Sequence, residues 1–167
     1  MKQKFFLTLI VLFSASIINT QAFAEWHATL HAKGQIMNGQ YISSITIGVA
    51  SKSVETKAPP KPPEYSCYIA LVDIPDWSGY LTKDIKQSNQ NSVNMWTFAI
   101  NPHGNYGGFN DASSTVNWDP AQLGEGLFVL TQGWDGTGDV LIHDMKTVSS
   151  FDISGGNEEL YFTIIQK

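Results

Sequence analysis

Between Trp26 and Lys33 the chain alternates without a break. Trp26, Ala28, Leu30 and Ala32 are apolar, and His27, Thr29, His31 and Lys33 between them are polar. A period of two is that of a β-strand with one face in a core and one in water. Gly34 closes the strand, Asn38-Gly39 is turn chemistry, and the β-branched run over 41–50 reads as the next strand. Further strand patterns cover 65–74, 80–86, 93–100, 114–118, 126–131, 139–143, 148–153 and 160–165, separated by Gly-, Asn-, Asp- and Ser-rich turns. In 94–100, Trp96, Phe98 and Ile100 share one face and are assigned to the core. The stretch 160–165 is apolar on both faces, which places it inside a sheet. No 12-residue window carries a helical stripe, and 119–123 has room for one turn at most.

The segment 51–64 breaks the pattern with two Pro-Pro pairs among charged residues. Proline lacks the N–H that a central strand needs, so this segment reads as an extended crossover. Only about 26 residues lie between it and the apolar start of the chain, too few to fold alone. The sequence therefore predicts an all-β fold, a single antiparallel β-sandwich of nine or ten strands over 25–167, with a closed barrel as the competing architecture.

The first residues have a different character. Met1-Lys2-Gln3-Lys4 is basic, 5–18 is almost wholly apolar, and Ala22-Phe23-Ala24 follows a polar step. This is the order of a cleavable secretory signal over 1–24, with cleavage after Ala24. The apolar run is shorter than the ~20 residues that span a bilayer, so an anchor is the weaker reading. The expected location is secreted, periplasmic or at the cell surface. The lone Cys67 sits in an apolar strand and reads as a buried thiol.

All ten cations are lysines, and two of them precede the cleavage point. Eight lysines against fifteen acids leave a processed charge of −7. Such a surface repels phosphate backbones, and the absence of arginine removes the usual bidentate phosphate and guanine reader. Nucleic acid is excluded as the expected partner; a protein or a polysaccharide outside the cytoplasm is expected instead.

Two stretches resemble a β-sandwich module found at the ends of large secreted or surface bacterial proteins, of Ig-like or fibronectin-like type. One is Ile47-Gly48-Val49, then Pro59-Pro60-Lys61-Pro62-Pro63-Glu64-Tyr65 and an apolar strand. The other runs from Asp144-Met145-Lys146 through Ser150-Phe151 and Gly155-Gly156 to Tyr161-Phe162-Thr163-Ile164. The resemblance implies a sandwich whose last two strands form a hairpin. It brings no catalytic group. The Asp/Gly-rich loop of that module is replaced here by Ser51-Lys52-Ser53-Val54-Glu55-Thr56-Lys57.

Candidate chemistry is sparse. His27 and His31 are four apart, which in a strand is ~13 Å at ~3.3 Å per residue, too far for one ion. Asp135-Gly136-Thr137-Gly138-Asp139 offers two carboxylates, Asp135 and Asp139, as a candidate calcium site, although further alternating acids are missing and a glycine turn explains the motif equally. No G-x-S-x-G, H-E-x-x-H or phosphate-cradling glycine loop occurs, so no enzyme is expected and no cofactor other than calcium is considered. Adjacent Glu158 and Glu159 would point to opposite faces of a strand, which does not suit a hydrolase pair. The remaining signal is aromatic: Trp77, Tyr106, Phe109, Trp118 and Trp134 all fall in or beside polar turns. Rigid rings on loops make contact surfaces, and rings flanked by Asp and Asn suit sugar stacking; alternatively they cap the ends of the core. The expected function is a non-catalytic module for protein binding or surface assembly, with carbohydrate binding as the alternative and glycoside hydrolysis third.

Overall fold

The computed structural model describes residues 24–36, 39–59, 68–72, 79–89, 93–101, 113–154 and 159–167. The 1–24 signal segment, apart from Ala24, lies outside them, as do Cys67, Trp77, His103, Tyr106 and Phe109. Among the described residues eleven strands follow one another. They are β1 (Trp26–Ile36), β2 (Gly39–Ala50), β3 (Val54–Lys57), β4 (Tyr68–Val72), β5 (Tyr80–Gln87) and β6 (Asn94–Asn101). Then come β7 (Ser113–Asn117), β8 (Phe128–Gln132), β9 (Val140–Ile142), β10 (Ser150–Ser154) and β11 (Leu160–Gln166). One 3-10 turn, Pro120–Gln122, interrupts them; the Asp119 carboxylate caps it by accepting the Ala121 N–H at 2.9 Å.

The fold is nearly all β, but the expected two-sheet antiparallel sandwich needs correction. The strands form one strongly curled sheet, a half-barrel, in the order β10-β7-β1-β2-β5-β4-β6-β11-β8-β9, with β3 paired to β5 off that path. Accumulated right-handed twist is what curls an open sheet this wide. The sheet is also mixed, because β2 and β5 run parallel from Thr46 opposite Lys83 to Ala50 opposite Gln87. Parallel neighbours need a long connection, and the chain from 51 to 79 supplies it. Part of that segment is itself strand: Val54–Lys57, read from sequence as a pure crossover, pairs antiparallel with β5. It is exposed along its length, and the prolines begin only at Pro59, after the pairing ends.

The concave side holds the core. Ala28, Leu30 and Ala32 of β1 are buried there, whereas His27 and His31 face solvent, as the alternation requires. Trp96, Phe98 and Ile100 are buried on β6. Aromatic rings tie the halves of the curl together. Trp26 meets Trp96 and Phe128 edge-on with centroids 5.6 and 5.1 Å apart, and Phe162 touches both Phe98 and Phe151 at 5.5 and 5.2 Å. Each such pair contributes about 0.5–1.5 kcal/mol beyond the area it buries. The Trp96 indole N–H is satisfied by the Asp84 carbonyl at 3.1 Å.

A second correction concerns the end of the chain. The expected final hairpin is absent, since β10 pairs with β7 whereas β11 lies between β6 and β8. The stretch 143–149 instead carries the chain from β9 at one margin of the sheet to β10 at the other. Met145 is its centre, fully buried. Its N–H donates to Phe128 of β8 at 2.8 Å, and its carbonyl accepts from the Trp118 indole beside β7 at 2.9 Å. Trp118 N–H also donates to Ser149 O at 2.9 Å. The Asp144 carboxylate accepts the Lys146 N–H, and the Lys146 ammonium lies 5.4 Å from the centre of the Phe128 ring. We expect Met145→Ala to cost about 2–5 kcal/mol in a urea titration, and the volume-conserving Met145→Leu less than about 1.5 kcal/mol.

Candidate functional site

Opposite the core, the other face of β6, β11 and β8 is carried by Met95 and Thr97, Thr163 and Ile165, and Val129 and Thr131. All three threonines are buried although they point away from the concave side. What covers them is the loop between β8 and β9. The Thr97 hydroxyl donates to Trp134 O at 2.9 Å, and the Thr163 hydroxyl donates to Gly133 O at 2.9 Å. The two hydroxyl oxygens lie 3.0 Å apart, and Thr131 donates to Thr163 O at 3.2 Å. Gly133 N–H completes the fastening by donating to Tyr161 O at 2.8 Å.

The loop's own chemistry fixes its shape. Gly133 and Gly136 adopt φ of 94° and 75°, a region that favours glycine. The Asp135 carboxylate accepts both the N–H and the hydroxyl of Thr137, at 3.0 and 2.8 Å. These bonds hold its pKa below the ordinary aspartate value. A methyl added at Gly136 would lie 2.9 Å from both Ile165 Cδ1 and Met95 Cε, so the backbone rests directly on the apolar end of the face.

This folded-back loop forms one wall of a groove of about 300 Å³. Trp134 and Asp135 stand on the loop side, and Val72, Met95 and Thr97 line it from β4 and β6. Asp84 and Lys86 of β5 also border the groove, joined by an ion pair of 3.0 Å. Trp134 is 49% exposed there, whereas Trp118 is 5% exposed and its N–H is engaged by Met145. Of the two loop tryptophans that can be compared, Trp134 lies at the surface of the groove and Trp118 is buried against the core. Asp139 is exposed, and its carbonyl accepts from Gln132 N–H. Among the described residues, no three His, Cys, Asp or Glu side chains gather as a metal-ligand set. Nor is any described helix long and apolar enough to cross a membrane.

Asp84, Lys86 and Met95 escaped the sequence reading because nothing local marks them. They meet Trp134 only through the strand order. A second polar cluster was equally hidden. Tyr80 donates to both oxygens of Glu159 at 2.8 and 3.0 Å, and the Tyr161 hydroxyl donates to Glu159 Oε2 at 3.3 Å. Partial burial, the Glu159 charge and Tyr80 push the Tyr161 pKa up to about 12.

Comparisons with protein-family models, with curated proteins and with solved structures find no match to this chain. The geometry alone therefore carries the functional reading.

Two measurements check the geometry. Thr163→Val keeps the side-chain shape but removes the donor to Gly133 O, and should cost about 1–3 kcal/mol while loosening Trp134, seen as lower fluorescence anisotropy. The raised Tyr161 pKa favours the neutral phenol in the folded state. Its stabilising contribution is complete below the ordinary value of 10.0 and is lost as pH climbs through about 12. Absorbance titration of phenolate should show a late-ionising component that shrinks by one tyrosine in Tyr161→Phe and shifts down in Glu159→Gln.

Proposed function

We propose that the chain is an exported, non-catalytic binding module whose contact surface is the groove beside Trp134. The observation that carries this reading is the half-exposed indole, mounted on a loop that threonine hydroxyls fasten to the sheet. A rigid aromatic presented next to polar side chains supplies contact area at little conformational cost. Export rests on the basic, apolar and small-residue order of 1–24.

Five of the ten described carboxylates are committed to turns, an ion pair or a tyrosine clasp, which supports a non-catalytic role. Asp119, Asp135 and Asp144 each cap a backbone N–H two residues on. Asp84 is paired with Lys86, and Glu159 is clasped by two tyrosines. Carboxylates committed to turns and pairs are poorly placed for acid–base work, which needs one group kept protonated near neutral pH.

The test is retention of the purified chain on extracellular and envelope material. Trp134→Ala should reduce retention at least about tenfold, the loss of a hot-spot aromatic, with an unchanged circular-dichroism spectrum. Release of sugar or peptide fragments from the bound material, or undiminished retention of the variant, would refute the proposal.

A further inference from the structure

The groove also says what kind of ligand suits it. We infer that it is a subsite for a neutral, hydroxyl-rich pyranose unit of a polysaccharide, stacked on Trp134 and hydrogen-bonded by the Asp84–Lys86 pair. The inference rests on the binding-module reading and narrows it to one ligand class.

Three observations lead there. The first is electrostatic. Lys86 Nζ and Asp84 Oδ2 are already 3.0 Å apart, and the pair is partly buried. A charged ligand would have to separate them or compete for one member. A neutral ligand does neither. The pair sets a donor and an acceptor side by side, matching two neighbouring hydroxyls that each donate and accept. On the facing wall, the Asp135 carboxylate is oriented by the N–H and hydroxyl of Thr137 and offers a further acceptor for a sugar hydroxyl.

The second observation is the state of the backbone. A peptide that binds in extended form adds to an open sheet edge and takes its affinity from main-chain hydrogen bonds. Beside the groove β6 is paired with β11 from Asn94 to Ile100 and with β4 from Thr97 to Asn101. Only Asn94, Met95 and Trp96 lack a described partner on the β4 side, a run too short to template a strand. A ligand there meets mostly side chains. A sugar ring, with an apolar face and a rim of hydroxyls, satisfies that requirement without leaving amides unpaired.

The third is size and stiffness. About 300 Å³ sits at the small end of ligand sites and suits one or two rings of a longer polymer. Trp134 is held through its carbonyl by Thr97, while Met95 lies against Gly136 and lines the groove. The platform exists before the ligand arrives, which limits the ordering cost of binding.

The experiment is a titration of the isotopically labelled protein with neutral oligomers of glucose, mannose, xylose and N-acetylglucosamine. Polygalacturonate and an oligolysine peptide serve as charged controls, and the backbone amide resonances of Met95 and Asp135, which line the groove and are kept in every variant, are the readout. The expected result is a saturable shift with at least one neutral oligomer, insensitive to added salt. It should weaken at least about tenfold in Trp134→Ala and severalfold in Lys86→Met, and survive in Trp134→Tyr, which keeps a ring and guards against misfolding. Shifts produced only by a charged control, and screened by salt, would overturn the neutral-sugar assignment and leave the binding module intact. Neutral oligomers that bind equally well to Trp134→Ala would overturn the subsite. No response to any probe, together with unchanged retention of Trp134→Ala on envelope material, would remove both readings.

Discussion

A sheet that curls without closing leaves two margins apart, and the molecule depends on how that gap is bridged. Met145 does it. Its backbone joins Phe128 on one side to the Trp118 indole on the other, and its side chain fills the space between. A flexible thioether suits a position whose shape is set by two independent strands. The flanking Asp144 turn and the Lys146 ammonium over Phe128 hold it in register. Trp118 is consequently consumed by architecture, and its place in a polar turn beside Asp119 and Pro120 concealed that.

On the opposite face the same economy is achieved with hydroxyls. Thr97, Thr131 and Thr163 are buried, and each finds a carbonyl acceptor. Two of those carbonyls belong to the loop that bears Trp134. A buried hydroxyl without a partner is costly, so burying the threonines and positioning the loop are one event. The groove is a by-product of that event, bounded where the loop ends and β5 begins.

Much of the fold was legible because strand periodicity is local. Trp96, Phe98 and Ile100 face the core as their spacing requires, His27 and His31 face water, and the apolar run at 160–165 lies inside the sheet. Pairing is not local, and there the reading failed. Nothing in Ser150–Ser154 announces that it will pair with β7 in preference to β11. Nor does any local feature of β2 disclose a parallel partner more than thirty residues away. Val54–Lys57 was obscured by its proline-rich neighbours. At the candidate site, Trp134 was visible as an aromatic in a glycine turn, whereas Asp84, Lys86 and Met95 became its neighbours only through topology. The Tyr80–Glu159–Tyr161 cluster joins residues nearly eighty positions apart for the same reason.

The position of β11 has a kinetic corollary. It follows every other strand of this sheet in sequence, yet it lies between β6 and β8. Until it arrives, those two strands have no common partner, and Phe162 and Ile164 are missing from the interior. A chain made from its amino end can form the β1–β2 hairpin early but cannot complete the fold until its last strand is released. Such late, non-local completion slows folding.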